Sequence, residues 1–243
     1  MKILLCVTYI GTDYHGWQVQ PNGVTIQETL QDAIEKITGQ RSDLTGCSRT
    51  DAGVHANNYY CAFTPCKKLD LFVLPKALNA VLPKDVAVKS AVEVDEDFHP
   101  RYNAKEKEYI YRIYNEYNRD PFEEGRSLHY KYGLSVEKMK AAAQYILGTH
   151  DFLCFCSAGS SVKDTVRTVS LLEVEENGSL ITVRIRADGF LYNMVRIIVG
   201  TLIAVSEGTV DLNSIPEIIE SRDRTKAGPT ASPEGLYLNQ VFY

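Results

Sequence analysis

Arg49, Asp51 and His55 stand within seven positions of one another, in the octapeptide Arg49-Thr50-Asp51-Ala52-Gly53-Val54-His55-Ala56. A carboxylate and an imidazole this close are candidates for acid, base or nucleophile chemistry, with an arginine beside them. Gly53 permits a tight or left-handed backbone two residues past the aspartate. Ala52 and Ala56 leave the segment uncrowded. A turn of this make presents one carboxylate to a pocket. Asp-x-Gly by itself is also the mark of an ordinary Asx-turn, so the octapeptide needs companions before it means catalysis.

Arg196 is the first companion. It is the only charge between Leu191 and Val205, on a segment that is apolar nearly all round. An unpaired guanidinium there costs several kcal/mol. Either it hydrogen-bonds backbone carbonyls, or it pairs with a carboxylate from elsewhere, for which Asp51 is the best candidate. Such a pair would keep Asp51 ionised and oriented. Tyr109 and Tyr111 share one parity of a predicted strand. For either tyrosine alone, core packing is the usual answer. With Phe98-His99-Pro100-Arg101-Tyr102 they make an aromatic and basic set, suited to stacking on bases and touching phosphates. Ser157-Ala158-Gly159-Ser160-Ser161, followed by Lys163, Asp164 and Arg167, reads equally as a linker or as a phosphate-contacting loop. Arg184 and Arg186 read as a solvated strand face.

Other chemistries lack their signatures. There is no Gly-x-x-x-x-Gly-Lys-Ser/Thr loop, no Gly-x-Gly-x-x-Gly fingerprint and no Gly-x-Ser-x-Gly elbow. The five histidines lie far apart, and Asp51 has no motif-level carboxylate companion of the kind a glycosidase needs. None of the six cysteines forms a Cys-x-x-Cys pair; Cys154-x-Cys156 looks like one face of a short strand. No metal site is expected, and the thiols read as free and mostly buried in a reducing compartment. The net charge of −5 argues against a protein that coats nucleic acid nonspecifically. Residues 1–100 carry 9 basic against 12 acidic residues and residues 101–243 carry 17 against 19, so any basic surface must come from folding. Met1-Lys2 runs straight into Ile3-Leu4-Leu5, unlike a leader peptide, and no stretch reaches the length of a membrane span. A cytoplasmic location is the default expectation.

The elements that must position these residues follow from periodicity. Lys2–Tyr9 reads as a buried strand, and Gly11–Gly23 as a loop holding the only tryptophan, Trp17. Thr25-x-x-Glu28 is a capping box; Ile26, Leu30, Ala33, Ile34 and Ile37 follow at helical spacing, and Gly39 ends the helix. Strands are predicted over 57–63, 86–94 and 108–115, with a short helix over 71–81. Ser135 caps a helix running to Leu147. Strands over 167–175 and 180–187 are separated by Asn177-Gly178, a hairpin signal. Helices are predicted over 190–205 and 215–221, and a last strand over 236–241. Each half thus has the rhythm of a β-α-β-β-α-β unit, with a boundary near Phe98–Ala104. The expectation is an α+β protein: two related ferredoxin-like subdomains, a mainly antiparallel sheet and a central active-site cleft. Subdomain 1–100 would carry Asp51, and subdomain 101–243 would carry Tyr109 and Arg196.

Taken in order, these motifs resemble the tRNA pseudouridine synthases of the TruA family over essentially the full length. The resemblance is carried by Tyr14-His15-Gly16-Trp17-Gln18-x-Gln20, the Arg49–Ala56 octapeptide, Phe98–Tyr102 and Tyr109-Ile110-Tyr111. Gly189-Phe190-Leu191-Tyr192-Asn193-Met194-Val195-Arg196 and Ala227-Gly228-Pro229-Thr230-Ala231 complete it. Cys47-Ser48 stand before Arg49 where the family commonly has alanine and glycine, which leaves the motif intact. The resemblance implies an isomerase that converts uridine to pseudouridine in the anticodon arm of tRNA, at positions 38, 39 and 40. It implies a homodimer that uses no cofactor or metal. It makes Asp51 the catalytic aspartate, Arg49 the base-flipping residue, Tyr109 the tyrosine that packs on the target base, and Arg196 the partner of the aspartate. Phe98, His99, Pro100, Arg101 and Tyr102 match an RNA-contacting stretch, and so, more loosely, do Ser161, Val162, Lys163, Asp164 and Thr165. His55 then reads as structural or RNA-contacting. The rival expectations are a noncatalytic tRNA-binding or tRNA-folding module on the same scaffold, and a metal-dependent hydrolase using Asp51 and His55.

Overall fold

A computed structural model describes residues 1–159 and 162–243. The chain forms two compact units, Met1–Lys105 with Tyr237–Tyr243, and Glu106–Leu236.

The first unit contains β1 (Lys2–Tyr9), α1 (Ile26–Thr38), β2 (Thr45–Gly46), β3 (His55–Phe63), α2 (Leu74–Asn79) and β4 (Val86–Val94). This is the β-α-β-β-α-β order that the sequence predicts. β1 lies between β4 and β3, antiparallel to both, because its run of apolar residues is buried almost end to end. α1 starts where Thr25 accepts a hydrogen bond from the Glu28 N–H, and stops at Gly39, which takes φ +84°. Its buried face is Ile26, Leu30, Ala33 and Ile34, as the spacing requires. β3 begins at His55, immediately after the Asp51 turn.

The second unit contains β5 (Glu106–Tyr114), β6 (Leu128–His129), α3 (Val136–Ile146), β7 (Gly148–Asp151), β8 (Val166–Asn177), β9 (Leu180–Ala187), α4 (Met194–Glu207) and α5 (Ile215–Ser221). β9 pairs antiparallel with β5 and β8, β7 adds to β8, and β6 runs parallel to β5. The β8–β9 hairpin turns on Gly178-Ser179, since Asn177 is already paired with Leu180. Gly178 takes φ +58°, as the first central residue of a two-residue hairpin loop favours. The last strand, β10 (Leu236–Phe242), pairs in parallel with the start of β3, Tyr237 beside His55 and Leu238 beside Ala56. Residues 237–243 therefore belong with the first unit rather than with 106–236. The sheets are mostly antiparallel and the fold is α+β.

Two local expectations are corrected. Residues 190–193 are not helical: α4 starts at Met194, because Asn193 takes φ +60° and the Met194 N–H closes a turn on the Leu191 carbonyl. Cys154 and Cys156 do not share a strand face. Phe152–Phe155 is a 3₁₀ turn capped by Asp151, which accepts from the Leu153 N–H. Phe152 and Phe155 are both fully buried there, at the i, i+3 spacing that a 3₁₀ turn brings to one side. All six cysteines are free thiols, and only Cys66 is exposed.

Candidate active site

In the first unit, Asp51 sits on a turn held from several sides. Its carbonyl accepts from the Val54 N–H, and Gly53 takes φ +78° and donates its N–H to the Tyr14 carbonyl. The Thr50 hydroxyl shares a 2.9 Å hydrogen bond with Tyr9, and the Thr50 carbonyl accepts from the Trp17 N–H. Two glycines let the 11–17 loop lie against this turn. A Cβ on Gly11 would fall 2.0 Å from the Val54 carbonyl oxygen, and one on Gly16 would fall 2.4 Å from that of Thr50. Asp51 itself is partly exposed. His55 is fully buried; its Nδ1 accepts from the Gly11 N–H at 2.8 Å, and its ring packs on Tyr237 at 4.5 Å. Acceptance at Nδ1 leaves the proton of a neutral ring on Nε2. His55 is a buttress of the turn.

Arg49 opens onto a groove in the same unit, about 260 Å³ in volume, which it lines with Trp17, Gln18, His99, Arg101 and Tyr102. The structure thus brings Arg49 together with His99, Arg101 and Tyr102 of the predicted RNA-contacting stretch. Phe98 and Pro100 anchor that stretch from behind: Phe98 packs on Tyr243, whose hydroxyl donates to the Pro100 carbonyl.

In the second unit, Tyr109 is buried on β5 and meets Phe190 edge-on at 5.0 Å. Tyr111, on the same face, donates its hydroxyl to the Ser232 carbonyl; burial pushes its ionisation well up. Next to Tyr109, the buried Glu108 is paired at 2.7 Å with Arg186. Arg186 is therefore a partner of a buried charge, not merely part of a solvated face. Arg196 is half-buried on α4. Its Nε donates to the Ala231 carbonyl at 2.7 Å and its Nη1 to the Asn193 Oδ1 at 3.0 Å. One half of the sequence argument is thereby met, since a backbone carbonyl does receive this guanidinium. The Ala227–Ala231 segment reaches α4 because Gly200 has no side chain: a Cβ there would fall 1.8 Å from the Pro229 carbonyl oxygen.

Val162, Lys163 and Asp164 are exposed, while Thr165 is buried and bonded to Asp151. Asp151 is also held by Arg222 at 2.8 Å, a partner that no sequence signal disclosed. Ser161 lies outside the described residues. Among the described residues no group of three or more His, Cys, Asp or Glu could hold a metal ion, and no helix is long and apolar enough to cross a membrane.

An Arg-flanked aspartate on a glycine-supported turn, beside a groove of arginine, histidine and aromatic side chains without carboxylates, in a mostly antiparallel α+β fold, suits a protein that acts on nucleic acid. A sequence-family model described as tRNA pseudouridine synthase matches residues 5–103 and 142–243, and the chain belongs to that family of isomerases. It is 49% identical over 242 residues to tRNA pseudouridine synthase A of Thermoanaerobacter sp. (strain X514), covering 100% of this chain and 99% of that one. The enzyme of the same name from Acetivibrio thermocellus is 47% identical over 242 residues, with the same coverage.

Proposed function

We propose that this tRNA pseudouridine synthase acts in the anticodon stem-loop, at positions 38, 39 and 40, as a cytoplasmic homodimer without metal or cofactor. The observation that best supports a catalytic role is the Asp51 turn. Its neighbours on both sides are hydrogen-bonded or sterically fixed, which is how a carboxylate is held ready for one reacting atom. A tRNA-binding scaffold without catalysis is the weaker reading, because relatives called synthases match from end to end.

The reaction is an isomerisation. The N1–C1′ bond breaks, uracil turns within the site, C5 bonds to C1′, the C5 proton leaves and N1 gains one. The target base must first leave its stack, at about a few kcal/mol, and this is least costly near a loop. Arg49 is assigned to that displacement. Asp51 either attacks C1′ or takes a proton from the sugar toward an elimination intermediate. Tyr109 is assigned to the face of the uracil and to the C5 proton, and Arg196 to keeping Asp51 ionised. Lys163 and Asp164, with Ser161 and Val162, are assigned to contact with the tRNA, while Thr165, buried and bonded to Asp151, is assigned to holding the end of that segment.

Unmodified tRNA incubated with the protein and a chelator, then treated with carbodiimide and reverse-transcribed, is expected to show new stops at 38–40. Asp51→Asn is expected to bind tRNA normally and give no stops. Turnover by that variant would remove Asp51 from the chemistry, and stops elsewhere would move the target.

A further inference from the structure

Among the described residues, only Asn193 and Arg222 carry a side chain on a left-handed backbone. Asn193 takes φ +60° and ψ +10° at the N-terminal end of α4. An asparagine there ordinarily turns its side chain back on the first free N–H groups of the helix. Asn193 caps nothing. Its amide is spent elsewhere: Oδ1 accepts from Arg196 Nη1 at 3.0 Å, and Nδ2 donates to Ser157 Oγ at 3.0 Å. Chemistry fixes which way the amide faces, since a guanidinium has no acceptor and meets only the oxygen. The nitrogen is then left for the Ser157 hydroxyl, which receives it on a lone pair.

Ser157 is fixed in turn. Its backbone N–H donates to the Tyr192 carbonyl at 3.0 Å, so backbone and side chain both bind it to residues 192 and 193. On the other side, Arg196 is tied to Ala231 twice. Its Nε donates to the Ala231 carbonyl at 2.7 Å, and its own carbonyl accepts the Ala231 N–H at 3.0 Å. Hydrogen bonds from two different nitrogens fix the plane of a rigid guanidinium. The Ala231 carbonyl alone would leave the group free to swing about its Nε–H bond, and the Asn193 oxygen removes that freedom. A helix cap is thus given up, and a sparsely populated backbone conformation adopted, for contacts that serve one guanidinium and one hydroxyl. Such an exchange is characteristic of functional positions.

We infer, building on the role proposed for Arg196, that Asn193 is a positioning residue of the reaction, with Ser157 behind it. The Asn193 oxygen sets the direction in which the Arg196 guanidinium points, and Ser157 sets the rotation of the Asn193 amide. Neither acts on the reacting atoms. A residue needed only to begin α4 at a positive φ is replaceable by glycine, which adopts that conformation more readily than asparagine. A residue needed to hold Arg196 is not, because glycine brings no acceptor.

Asn193→Gly therefore separates the two roles. It should melt close to the wild type, yet lower kcat on tRNA about tenfold or more with KM within about twofold. Ser157→Ala should lower kcat less, by about threefold, since the Asn193 oxygen keeps its place with weaker support. In an Arg196→Met background, single-turnover rates should change by less than about twofold on adding Asn193→Gly, because the group it holds is gone. A second readout needs no turnover. In proton–nitrogen correlation spectra, the Arg196 Nε–H signal is identified by its absence from Arg196→Met; it should exchange slowly with water in the wild type, and shift and exchange faster in Asn193→Gly. Equal rate losses from Asn193→Gly in the two backgrounds would make it a structural residue only. Full turnover by Asn193→Gly beside a slowed Arg196→Met, or an unmoved Nε–H signal, would equally overturn the assignment. Wild-type turnover by Arg196→Met would instead sink the role proposed for Arg196, while the Nε–H signal judges Asn193 on its own.

Discussion

At the scale of single residues, Asp51 stood out in the sequence because its neighbours are unusual, and Arg196 because its surroundings are. A lone guanidinium on an apolar helix demands acceptors, and the structure supplies the Ala231 carbonyl and the Asn193 side chain. The left-handed Asn193 was not foreseeable from helical periodicity, which ran four residues too far. His55, as a histidine near a carboxylate, first suggested chemistry, and the resemblance made it structural or RNA-contacting; it is buried, with Nδ1 accepting from the Gly11 N–H. Replacing Arg196 by Met should lower kcat by about a hundredfold or more if it stabilises the charge on Asp51. It should also lower the melting temperature, because the Ala231 carbonyl loses a charge-assisted donor. Arg196→Lys should recover little, since one ammonium cannot serve two acceptors in the fork geometry. Single-turnover kinetics and thermal melts check this; wild-type values in both would leave Arg196 without a role.

At the scale of elements, the strands and helices of the first unit follow the sequence closely because their signals are local: a capping threonine, an αL glycine, a continuous apolar run. What sequence could not show is which loops touch. The 11–17 loop and the 47–54 loop are brought together by Gly11 and Gly16, and neither glycine announces a partner distant in sequence. Gly16 and Gly39 make a controlled comparison. Both have φ near +80°, at +81° and +84°, but a Cβ on Gly16 collides with the Thr50 carbonyl while one on Gly39 meets nothing within 4 Å. Gly39→Ala should cost about 1 kcal/mol of backbone strain and leave turnover unchanged. Gly16→Ala should cost about 2 kcal/mol or more and lower kcat at least about tenfold, because the Asp51 turn must shift. Denaturant melts with tRNA turnover on both variants decide it; equal kcat in the two would show that the loop contact does not position Asp51.

At the scale of the whole molecule, buried ionisable groups set an alkaline limit. Burial raises the thiols of Cys61 and Cys154 above their usual 9.0, Cys154 to about 12, and raises the hydroxyls of Tyr59, Tyr111 and Tyr243 above 10.0. The unfolded chain gives up these protons first. Stability from keeping them is therefore complete below about pH 9 and is lost as pH rises through the folded values. Melting temperatures should hold from pH 7 to 8.5 and fall steeply above pH 9.5; a flat profile to pH 11 would contradict it. The other whole-chain feature is the return of residues 237–243 to the first unit. A reading that cuts the sequence once, near residue 100, misses this, because no local pattern says which sheet a terminal strand joins. β10 supports the strand that leaves the Asp51 turn: Tyr237 packs on His55, and Asn239 receives the side-chain amides of Asn57 and Asn58. Tyr243 closes on Phe98 and on the Pro100 carbonyl, beneath the 98–102 stretch. Removing residues 237–243 should therefore abolish turnover and destabilise the first unit, although Arg49, Asp51, Tyr109 and Arg196 all remain. Hydrogen exchange should show lost protection in β3 and in 98–103, while β8 and β9 stay protected. Uniform loss across both units would mean that the chain unfolds as one. Retained activity would mean that β3 and the Asp51 turn hold their geometry without the seven terminal residues.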